Sequence, residues 1–388
     1  PNLMLWSCTP LSFRGRLTIL RSVALQQLVY TAGHSTMPAT IAAELQQQLN
    51  KFFWHGKDRG LVPLQVASAP WRKGGLALPQ VNAICTAIQV CTVARIFLPL
   101  DDETPTWIRV ALEQAPVSTL LHASYLLPNS LKYVRRGLEI LRNNFQCRLQ
   151  HGTWVVTART TLDSALTTTT LSELTVRSAT ATLTEYDQTT WTRLQPHLGT
   201  LTTAAQHLPT ERALWRWCWS PLHPRDTSDV IWKVLHNRLQ LNTVSSHWST
   251  TARRSCFACP TVDETVCHLF WTCPVAHTFF NWLVAAFLLV FKIKIVSSPQ
   301  LWLLGLTSLP HPHAHLSPIL TVCAGQAIHA LWLARCHASL DNEPFTLETA
   351  RGIFRARASR HLALLAATKR LSKKTVQESS KITQFLKK

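Results

Sequence analysis

Four residues with metal-binding side chains lie between residues 256 and 273: Cys256, Cys259, His268 and Cys273. Two thiols separated by two residues can face the same point across a tight turn. An imidazole and a third thiol from the next segment can then complete a tetrahedron around one zinc ion. Because such a site has no open position for water, the pattern predicts a structural zinc ion and not a catalytic one.

One ligand of this site is ambiguous, because Cys267 is adjacent to His268 and could replace it in an all-cysteine site. The apolar residues around His268 predict a short helical turn, and the span from His268 to Cys273 suits ligands of one metal. We therefore favour His268. A reduced, buried cysteine cluster without metal is the alternative. The other cysteines occur singly along the chain, at Cys8, Cys85, Cys91, Cys147, Cys218, Cys323 and Cys336.

The charge balance of the chain predicts a polyanionic partner. Of 388 residues, 39 are Lys or Arg and 20 are Asp or Glu, which gives a formal net charge of +19. Charged residues make up only 15% of the chain, so the basicity reflects a shortage of acidic residues more than runs of cations. RNA and DNA are natural partners for such a surface. The apolar content of 46% is ample for buried cores.

The cysteine usage predicts a reducing compartment. The chain has 11 cysteines, an odd number, and no cleavable signal sequence. We therefore expect an intracellular protein, nuclear or cytoplasmic, and not a secreted one. The longest apolar run, residues 282–291, is shorter than the roughly 20 residues that cross a bilayer, so we interpret it as a buried helix and expect no membrane partner. Since the first residue is Pro1, we also expect the chain to be a fragment.

Residues 1–100 are predicted to form a helical region. Ser12 can cap a first helix. Pro38 suits the first turn of a second helix, which Gly56 ends. A loop follows, and then two glycines at positions 74 and 75 permit a sharp turn. A further apolar helix is expected over about residues 81–98.

Residues 101–210 are rich in threonine, have few aromatic residues and show no clear period, which predicts a linker of low order. From residue 211 onward a core signature returns. Trp215, Trp217 and Trp219 alternate along the chain, which suits a short strand or an irregular clamp. Tryptophans can stack on bases, but we interpret these three as core residues. A helix is expected after the capping segment at residues 226–229.

A set of short motifs near the N-terminus carries a resemblance: Gly15-Arg16-Leu17, Met37-Pro38, Phe52-Phe53-Trp54-His55-Gly56 and Lys73-Gly74-Gly75-Leu76. They resemble the segment just after the catalytic palm in reverse transcriptases of non-LTR (LINE-type) retrotransposons. In that family this segment is a helical, thumb-like region that lies against the primer–template duplex. The resemblance therefore implies that residues 1–100 are a thumb-like region whose palm is missing from this chain.

A second set of motifs surrounds the cysteines: Trp232, Cys256, Cys259, Glu264-Thr265-Val266, His268-Leu269-Phe270, Cys273-Pro274 and Leu331-Trp332-Leu333-Ala334-Arg335. These are similar to the zinc-binding domain found downstream in the same polyproteins and to the Leu-Trp-x-x-Arg helix that commonly follows it. The two sets together cover roughly residues 5–98 and 229–340. They imply a reverse transcriptase zinc-binding domain at residues 211–340.

We expect no catalytic residues in this chain. A polymerase palm presents paired aspartates, with a third nearby, so that two metal ions flank the reacting oxygens. The only Asp-Asp pair, Asp101-Asp102, follows a proline and lies downstream of the thumb-like segment, so it is predicted to be a loop. A nuclease or RNase H domain would also need grouped carboxylates. The acidic residues after Cys273 are only Asp341, Glu343, Glu348 and Glu378.

Residues 341–388 are predicted to form a basic helical tail, in which Phe354, Ala358, Leu362 and Leu365 share one helical face. Beside a nucleic-acid-binding finger, the cations off this face are candidates for phosphate contacts. The complete set of predicted nucleic-acid-binding residues is Arg14, Arg16, Arg21, Arg72, Lys73, Arg253, Arg254, Arg351, Arg355 and Arg360.

The sequence thus predicts a mainly α-helical protein with a helical thumb-like region, a loosely ordered linker and a helical domain with a small CCHC zinc finger. One structural zinc ion would order the finger. The resemblance implies that the chain, itself non-catalytic, holds template RNA or target DNA for a polymerase. A zinc-stabilised protein-interaction module and a degenerate retroelement remnant without activity are the alternatives. No small-molecule substrate is expected.

Overall fold

The computed structural model describes residues 9–97, 132–150, 153–158, 169–202, 208–247, 253–341 and 343–387, together with Leu3 and Trp6. These residues are mainly helical, which confirms the predicted fold class. They divide into two compact units. Unit 1 consists of Pro1–Ala69 and Leu76–Asp187, and unit 2 consists of Pro70–Gly75 and Gln188–Lys388.

Unit 1 combines helices with a small sheet. Its elements are α1 (Phe13–Ile19), α2 (Gln26–His34), α3 (Ala39–Phe53), α4 (Leu64–Ser68), α5 (Val81–Phe97), α6 (Lys132–Asn144), β1 (Phe145–Gln150), β2 (Thr153–Ala158), β3 (Thr169–Thr170) and α7 (Val176–Leu183). A π-helical turn at Leu20–Ala24 joins α1 to α2. Helix α1 begins as predicted, because the Ser12 hydroxyl accepts a hydrogen bond from the Gly15 backbone N–H at 3.2 Å.

The described part of the predicted linker is folded. β2 pairs antiparallel with β1 and with β3, and these strands share a buried core with α5, α6 and α7. Val90, Leu138, Phe145 and Leu174 of this core are each no more than 2% exposed. The expectation of low order at residues 101–210 is therefore corrected for residues 132–150, 153–158 and 169–202. Threonine is β-branched and suits strands, and a few well-placed apolar residues close the core.

Unit 2 is helical in its described residues. A 3₁₀ turn at Trp71–Lys73 is followed by α8 (Thr190–Thr200), α9 (Glu211–Cys218), α10 (Arg225–Leu235), α11 (Asn242–Ser245), α12 (Pro274–Phe291), α13 (Pro299–Trp302), α14 (Ser317–Leu340), α15 (Leu347–Ala367) and α16 (Lys373–Lys387). The apolar face predicted for α15 is present, since Phe354, Ala358 and Leu362 are fully buried. α15 and α16 belong to the same compact unit as α14.

The three alternating tryptophans lie on or beside helix α9, and not on a strand. Trp215, Trp217 and Trp219 are 1%, 6% and 8% exposed, respectively. The alternation of tryptophans along the chain favoured a strand or an irregular clamp. Helix α9 is instead enclosed on more than one side, so that tryptophans on different faces of the helix are all buried. Such burial makes them core residues and leaves no open indole face for base stacking.

The predicted glycine turn also contributes to the core of unit 2. Gly74 has a φ of +81°, which favours glycine, and a Cβ atom there would overlap the Trp215 indole. The Gly74 carbonyl accepts hydrogen bonds of 2.8 Å from Trp232 Nε1 and from His236 Nε2. These contacts explain why Pro70–Gly75 belongs to unit 2.

Among the residues that the structure describes, two segments are long and apolar enough to cross a membrane by length and composition alone, Pro274–Phe291 and Ala314–Leu340. The apolar window of the second is 78% buried within the protein, whereas that of the first is 33% buried. The run at residues 282–291, interpreted from sequence as a buried helix, is the C-terminal part of α12. Leu283 and Phe287 are buried there, but Leu288 and Leu289 are exposed.

Three buried histidines of unit 2 should make its stability depend on pH. Burial lowers the pKa of His223 to about 3, and those of His236 and His329 to about 4, from the ordinary value of 6.5. Below pH 6.5 the unfolded chain therefore binds more protons than the folded protein. The stabilisation from neutral burial is complete above pH 6.5 and is lost as the pH falls toward 4, by about 2 to 3 kcal/mol per histidine at pH 4.5.

Denaturant unfolding at several pH values between 7.5 and 4.5 checks this expectation. A His236→Gln variant should reduce the slope of unfolding free energy against pH, because one of the histidines whose pKa is lowered by burial is removed. The control His277→Gln changes an exposed histidine and should leave the slope unchanged. A wild-type stability that stays constant down to pH 4.5 would contradict the neutral state of these side chains.

Candidate metal centre

The first two cysteines lie on a short hairpin. Ser255 and Asp263 form an isolated antiparallel β-bridge. The Cys256 N–H donates to the Val262 carbonyl at 2.9 Å, and the Val262 N–H donates to the Cys259 carbonyl at 3.1 Å. Hairpin closure by backbone hydrogen bonds therefore brings Cys256 and Cys259 to one turn, as their two-residue spacing predicts.

The other two members of the cluster come from the segment that leads into α12. A π-helical turn spans His268–Thr272, and the Cys273 N–H donates to the His268 carbonyl at 2.8 Å. Pro274 occupies the first turn of α12, where its missing N–H and fixed φ are favourable. Leu269 and Phe270 are fully buried, so apolar packing fixes this turn in place.

These two segments bring four potential ligands together. One ligand atom from each of Cys256, Cys259, His268 and Cys273 lies within 4.8 Å of all the others. The Cys273 sulfur is 4.0 Å from that of Cys256 and 3.9 Å from that of Cys259. Tetrahedral zinc with Zn–S bonds of about 2.3 Å places two sulfurs about 3.8 Å apart, so the spacing of the thiols fits a zinc ion.

The structure distinguishes His268 from Cys267. The group of four contains His268, whereas Cys267 is not part of it. His268 Nδ1 lies 3.2 Å from the Thr272 hydroxyl, while Nε2 is buried and lacks a hydrogen-bond partner within the described residues. A ring whose Nδ1–H is held by Thr272 presents Nε2 as a free ligand. Burial raises the pKa of Cys267, which favours its neutral thiol.

The surroundings of the cluster favour a thiolate at one of its members, Cys256. The pKa of Cys256 is lowered to about 5, first because Cys273 hydrogen bonds to its sulfur and also because backbone N–H groups of Ala258 and Cys259 do so. The hydrogen bond to Cys256 and burial raise the pKa of Cys273. Backbone N–H groups of Val275 and Ala276, at the start of α12, act in the opposite direction on Cys273. Such N–H donors stabilise the thiolates that a zinc ion requires.

A buried ion pair connects this hairpin to α14. Arg335 donates to both oxygens of Glu264, from Nε at 3.1 Å and from a terminal nitrogen at 2.8 Å. Glu264 is fully buried and Arg335 is 5% exposed. The pair is completed by Asn242, whose N–H donates to Glu264 at 2.6 Å and whose side-chain oxygen accepts from Arg335 at 2.9 Å.

The same group of residues reaches the hairpin backbone. The Asn242 side-chain amide donates to the Ser255 carbonyl at 2.7 Å, and the Arg335 guanidinium lies 5.3 Å from the centre of the Phe257 ring. Sequence analysis placed Glu264 and Arg335 in family motifs without giving either a role. The positions of these two residues in the sequence did not predict that they would pair. The one signal for a role of Glu264 was that acidic residues are scarce in this chain.

The predicted nucleic-acid-binding residues beside the cluster have internal partners. Arg253 donates from Nε to the Ser255 hydroxyl at 3.0 Å and also reaches the Cys256 carbonyl. Arg254 pairs with Asp263 at 2.7 Å across the β-bridge. The side chains of both arginines therefore make their hydrogen bonds within the hairpin.

The predicted cations of α15 differ from one another. Arg351 pairs with Glu348 at 2.9 Å, and its guanidinium lies 5.1 Å from the centre of the Trp282 ring. Arg355 lies 5.6 Å from the same ring. Arg360 is exposed. Within the described residues, Arg360 is thus the one member of this group with its charge directed to solvent and no side-chain contact.

Among the predicted cations of residues 1–100, Arg16 needs correction. It is 1% exposed and donates to the Phe52 carbonyl at 2.7 Å, with His55 Nδ1 at the same distance. Burial lowers its pKa. A side chain enclosed in this way holds α1 to the end of α3 and cannot reach a phosphate.

The remaining predicted cations are more accessible. Arg14 is half-buried, whereas Arg21 is exposed and donates to the Ala77 carbonyl at 3.0 Å. In unit 2, Arg72 is exposed and Lys73 pairs with Glu211 at 3.4 Å. Asp101-Asp102, predicted to be a loop, lies outside the described residues.

A comparison with protein families supports the zinc assignment. A family model described as zinc-binding in reverse transcriptase matches residues 200–282. The match includes all four members of the cluster and supports a reverse transcriptase-related protein. The match and the cluster together indicate zinc binding. Comparison with curated proteins gave no match.

Proposed function

We propose that this chain is the C-terminal, nucleic-acid-binding part of a non-LTR (LINE-type) retrotransposon reverse transcriptase, which holds template RNA or target DNA and has no catalytic site of its own. The observation that carries the proposal is the four-residue ligand cluster inside a segment that matches the reverse transcriptase zinc-binding family. The net charge of +19 supports a polyanionic partner. The motifs near the N-terminus support the retrotransposon lineage.

In this proposal the metal centre has a structural role. A zinc ion bound by four protein ligands cross-links the hairpin to the start of α12. The ion pair between Glu264 and Arg335 additionally connects the hairpin to α14. The surface cations of unit 2 are thereby carried on a fixed framework, from which they contact phosphates without base specificity.

Binding measured against salt concentration tests the proposed function. We expect the protein to bind labelled single-stranded RNA and DNA, with log K falling linearly with log salt and a slope of about −0.7 for each phosphate contact. A zinc-chelated sample should bind more weakly, because the framework is lost. Affinity that does not depend on salt would contradict a role for the positive charge. With primer, template, nucleotides and magnesium, we expect no extension, and template-dependent extension would contradict the non-catalytic assignment.

A protein-interaction module is the second candidate, and exposed apolar residues on and after α12 favour it. Leu288, Leu289 and Val296 are 47%, 60% and 77% exposed. Isolated exposed apolar residues are common, but a group on one segment is typical of a contact surface. In this case nucleic-acid binding should be weak and independent of salt.

A further inference from the structure

Several arginines of unit 2 are already paired with carboxylates. Arg254 pairs with Asp263 and Arg335 with Glu264. Arg357, on α15, pairs with Asp226 at 2.7 Å. An arginine held by a carboxylate gains less from a phosphate than an unpaired one, because the existing ion pair must break first. Arg254 is therefore a poor candidate for a main phosphate contact, and Arg253 already donates hydrogen bonds to the Ser255 hydroxyl and the Cys256 carbonyl.

The cations at the turn between α15 and α16, by contrast, are not paired with carboxylates within the described residues. The turn carries Lys369 and Arg370, and α16 begins with Lys373 and Lys374; all four residues are exposed. Within the part of the chain that the structure describes, the three lysine side chains have no hydrogen bond or ion pair. Arg370 makes a single side-chain hydrogen bond, to the Pro221 carbonyl at 3.3 Å. We call these four residues the basic turn.

Nearby acidic groups do not neutralise the basic turn. Glu378, the one acidic residue of α16, pairs with Lys381 at 2.9 Å. Asp226 is held by Arg357, and this ion pair and the hydrogen bond from Arg357 help to lower its pKa. Four cations within six residues repel one another, and a bound polyanion would relieve that repulsion.

The backbone of the basic turn is fixed at several points. The Arg370 N–H donates to the Leu365 carbonyl at 3.0 Å, at the end of α15. Leu371 is 8% exposed. Thr375 is 2% exposed, and its hydroxyl donates to the His315 carbonyl at 3.0 Å. The cations are therefore presented from a rigid base, which lowers the entropic cost of binding.

The start of α16 adds a favourable field to these charges. The Ser372 hydroxyl accepts a hydrogen bond from the Thr375 N–H at 3.2 Å, which caps the helix. The other N–H groups of the first turn and the positive end of the helix dipole lie beside Lys373 and Lys374. Anions are stabilised at such a position, and here the helix end acts together with four unneutralised cations.

We propose that the basic turn is the principal phosphate-contacting surface of unit 2, whereas the side-chain hydrogen bonds of Arg253 and Arg254 are made within the zinc hairpin. The inference rests on the proposed function, because it identifies the residues by which the protein would hold a nucleic acid. The ligand chemistry is the sugar-phosphate backbone of RNA or DNA.

A charge-matched pair of variants of the full chain tests this inference. K373Q/K374Q removes two charges from the basic turn, and K292Q/K294Q removes two exposed charges that follow α12. Within the described residues neither control lysine has a side-chain partner. Each variant is measured against a labelled single-stranded RNA over a range of salt concentrations. Zinc content and helicity confirm that each remains folded.

For K373Q/K374Q we expect the slope of log K against log salt to fall in magnitude by about 1.4, the value for two phosphate contacts on a single strand. We also expect the affinity for RNA to fall about tenfold at low salt. K292Q/K294Q should match the wild type. Equal effects of the two variants would overturn the inference, as would a loss of slope in Arg254→Gln with none in K373Q/K374Q. In either case salt-dependent binding by the wild type would leave the proposed function intact.

A wild-type protein that binds neither RNA nor DNA would instead overturn the proposed function itself. Vesicles containing phosphatidylserine provide the remaining comparison. Wild-type binding to these vesicles, lost in K373Q/K374Q and without binding to RNA, would assign the basic turn to a lipid surface and overturn the inference.

Discussion

Replacing Cys273 with serine should abolish stoichiometric zinc binding and unfold the segment from Arg253 to Phe291. The Cys273 sulfur is buried and lies within 4.0 Å of two other thiols, so its loss removes one of the two ligands that join the hairpin to the segment leading into α12. A serine hydroxyl is a poor zinc ligand. Because structural zinc contributes about 10 to 16 kcal/mol in small zinc-binding folds, losing one of four ligands should destabilise this segment strongly.

Native mass spectrometry and hydrogen exchange measure this effect together. Cys267→Ser is the matched control, because Cys267 is a half-buried thiol near the cluster but outside it. The control should retain one zinc ion and wild-type protection of residues 253–291. Normal zinc content in Cys273→Ser would contradict the ligand assignment, and zinc loss in Cys267→Ser would favour the all-cysteine alternative.

Replacing Arg335 with leucine should destabilise unit 2 by about 3 to 5 kcal/mol, because it leaves the Glu264 carboxylate buried without its cation. Glu264 is fully buried and receives two hydrogen bonds from Arg335. The hairpin should loosen first, since Glu264 lies between Cys259 and His268. We therefore expect weaker zinc affinity in this variant, even though Arg335 is not a ligand.

Denaturant unfolding and zinc titration test the role of the pair. The double variant Glu264→Leu with Arg335→Leu should recover part of the lost stability, because no unpaired charge remains buried. Arg254→Gln is the control, since the Arg254–Asp263 pair is exposed at both ends and exposed pairs contribute little. If Arg335→Leu matches this control in stability and zinc affinity, the buried pair does not support the metal centre.

The ligands of the metal centre could be predicted from sequence because their spacing is local. Cys256 and Cys259 meet across one turn, and His268 and Cys273 meet across another. The choice between His268 and Cys267 required the fold, because adjacent residues point in different directions and periodicity alone did not decide between them.

Sequence patterns did not reveal which cations are buried. Arg16 lies on a helix that was predicted correctly, yet its partners Phe52 and His55 are far away in the chain. Glu264 and Arg335 are likewise 71 residues apart in the chain. Whether a cation faces a carboxylate, a carbonyl or solvent depends on tertiary packing. Composition and periodicity do not predict that packing.

The folded part of the predicted linker was missed for a different reason. Its threonines lowered the average hydrophobicity of residues 101–210, and average composition was the basis for expecting low order. Folding depends on where apolar side chains are placed, and the buried core that joins α6 and the sheet to α5 includes Leu138, Phe145 and Leu174 from this segment. Position matters more than mean composition in this segment.

The metal content of the full chain, measured by native mass spectrometry with and without a chelator while helicity is followed by circular dichroism, tests the central claim most directly. We expect one zinc ion per chain, lost on chelation together with part of the helical signal and with protection of residues 253–291. A protein that carries no zinc, and whose helicity a chelator does not change, would contradict the metal centre and the function built on it.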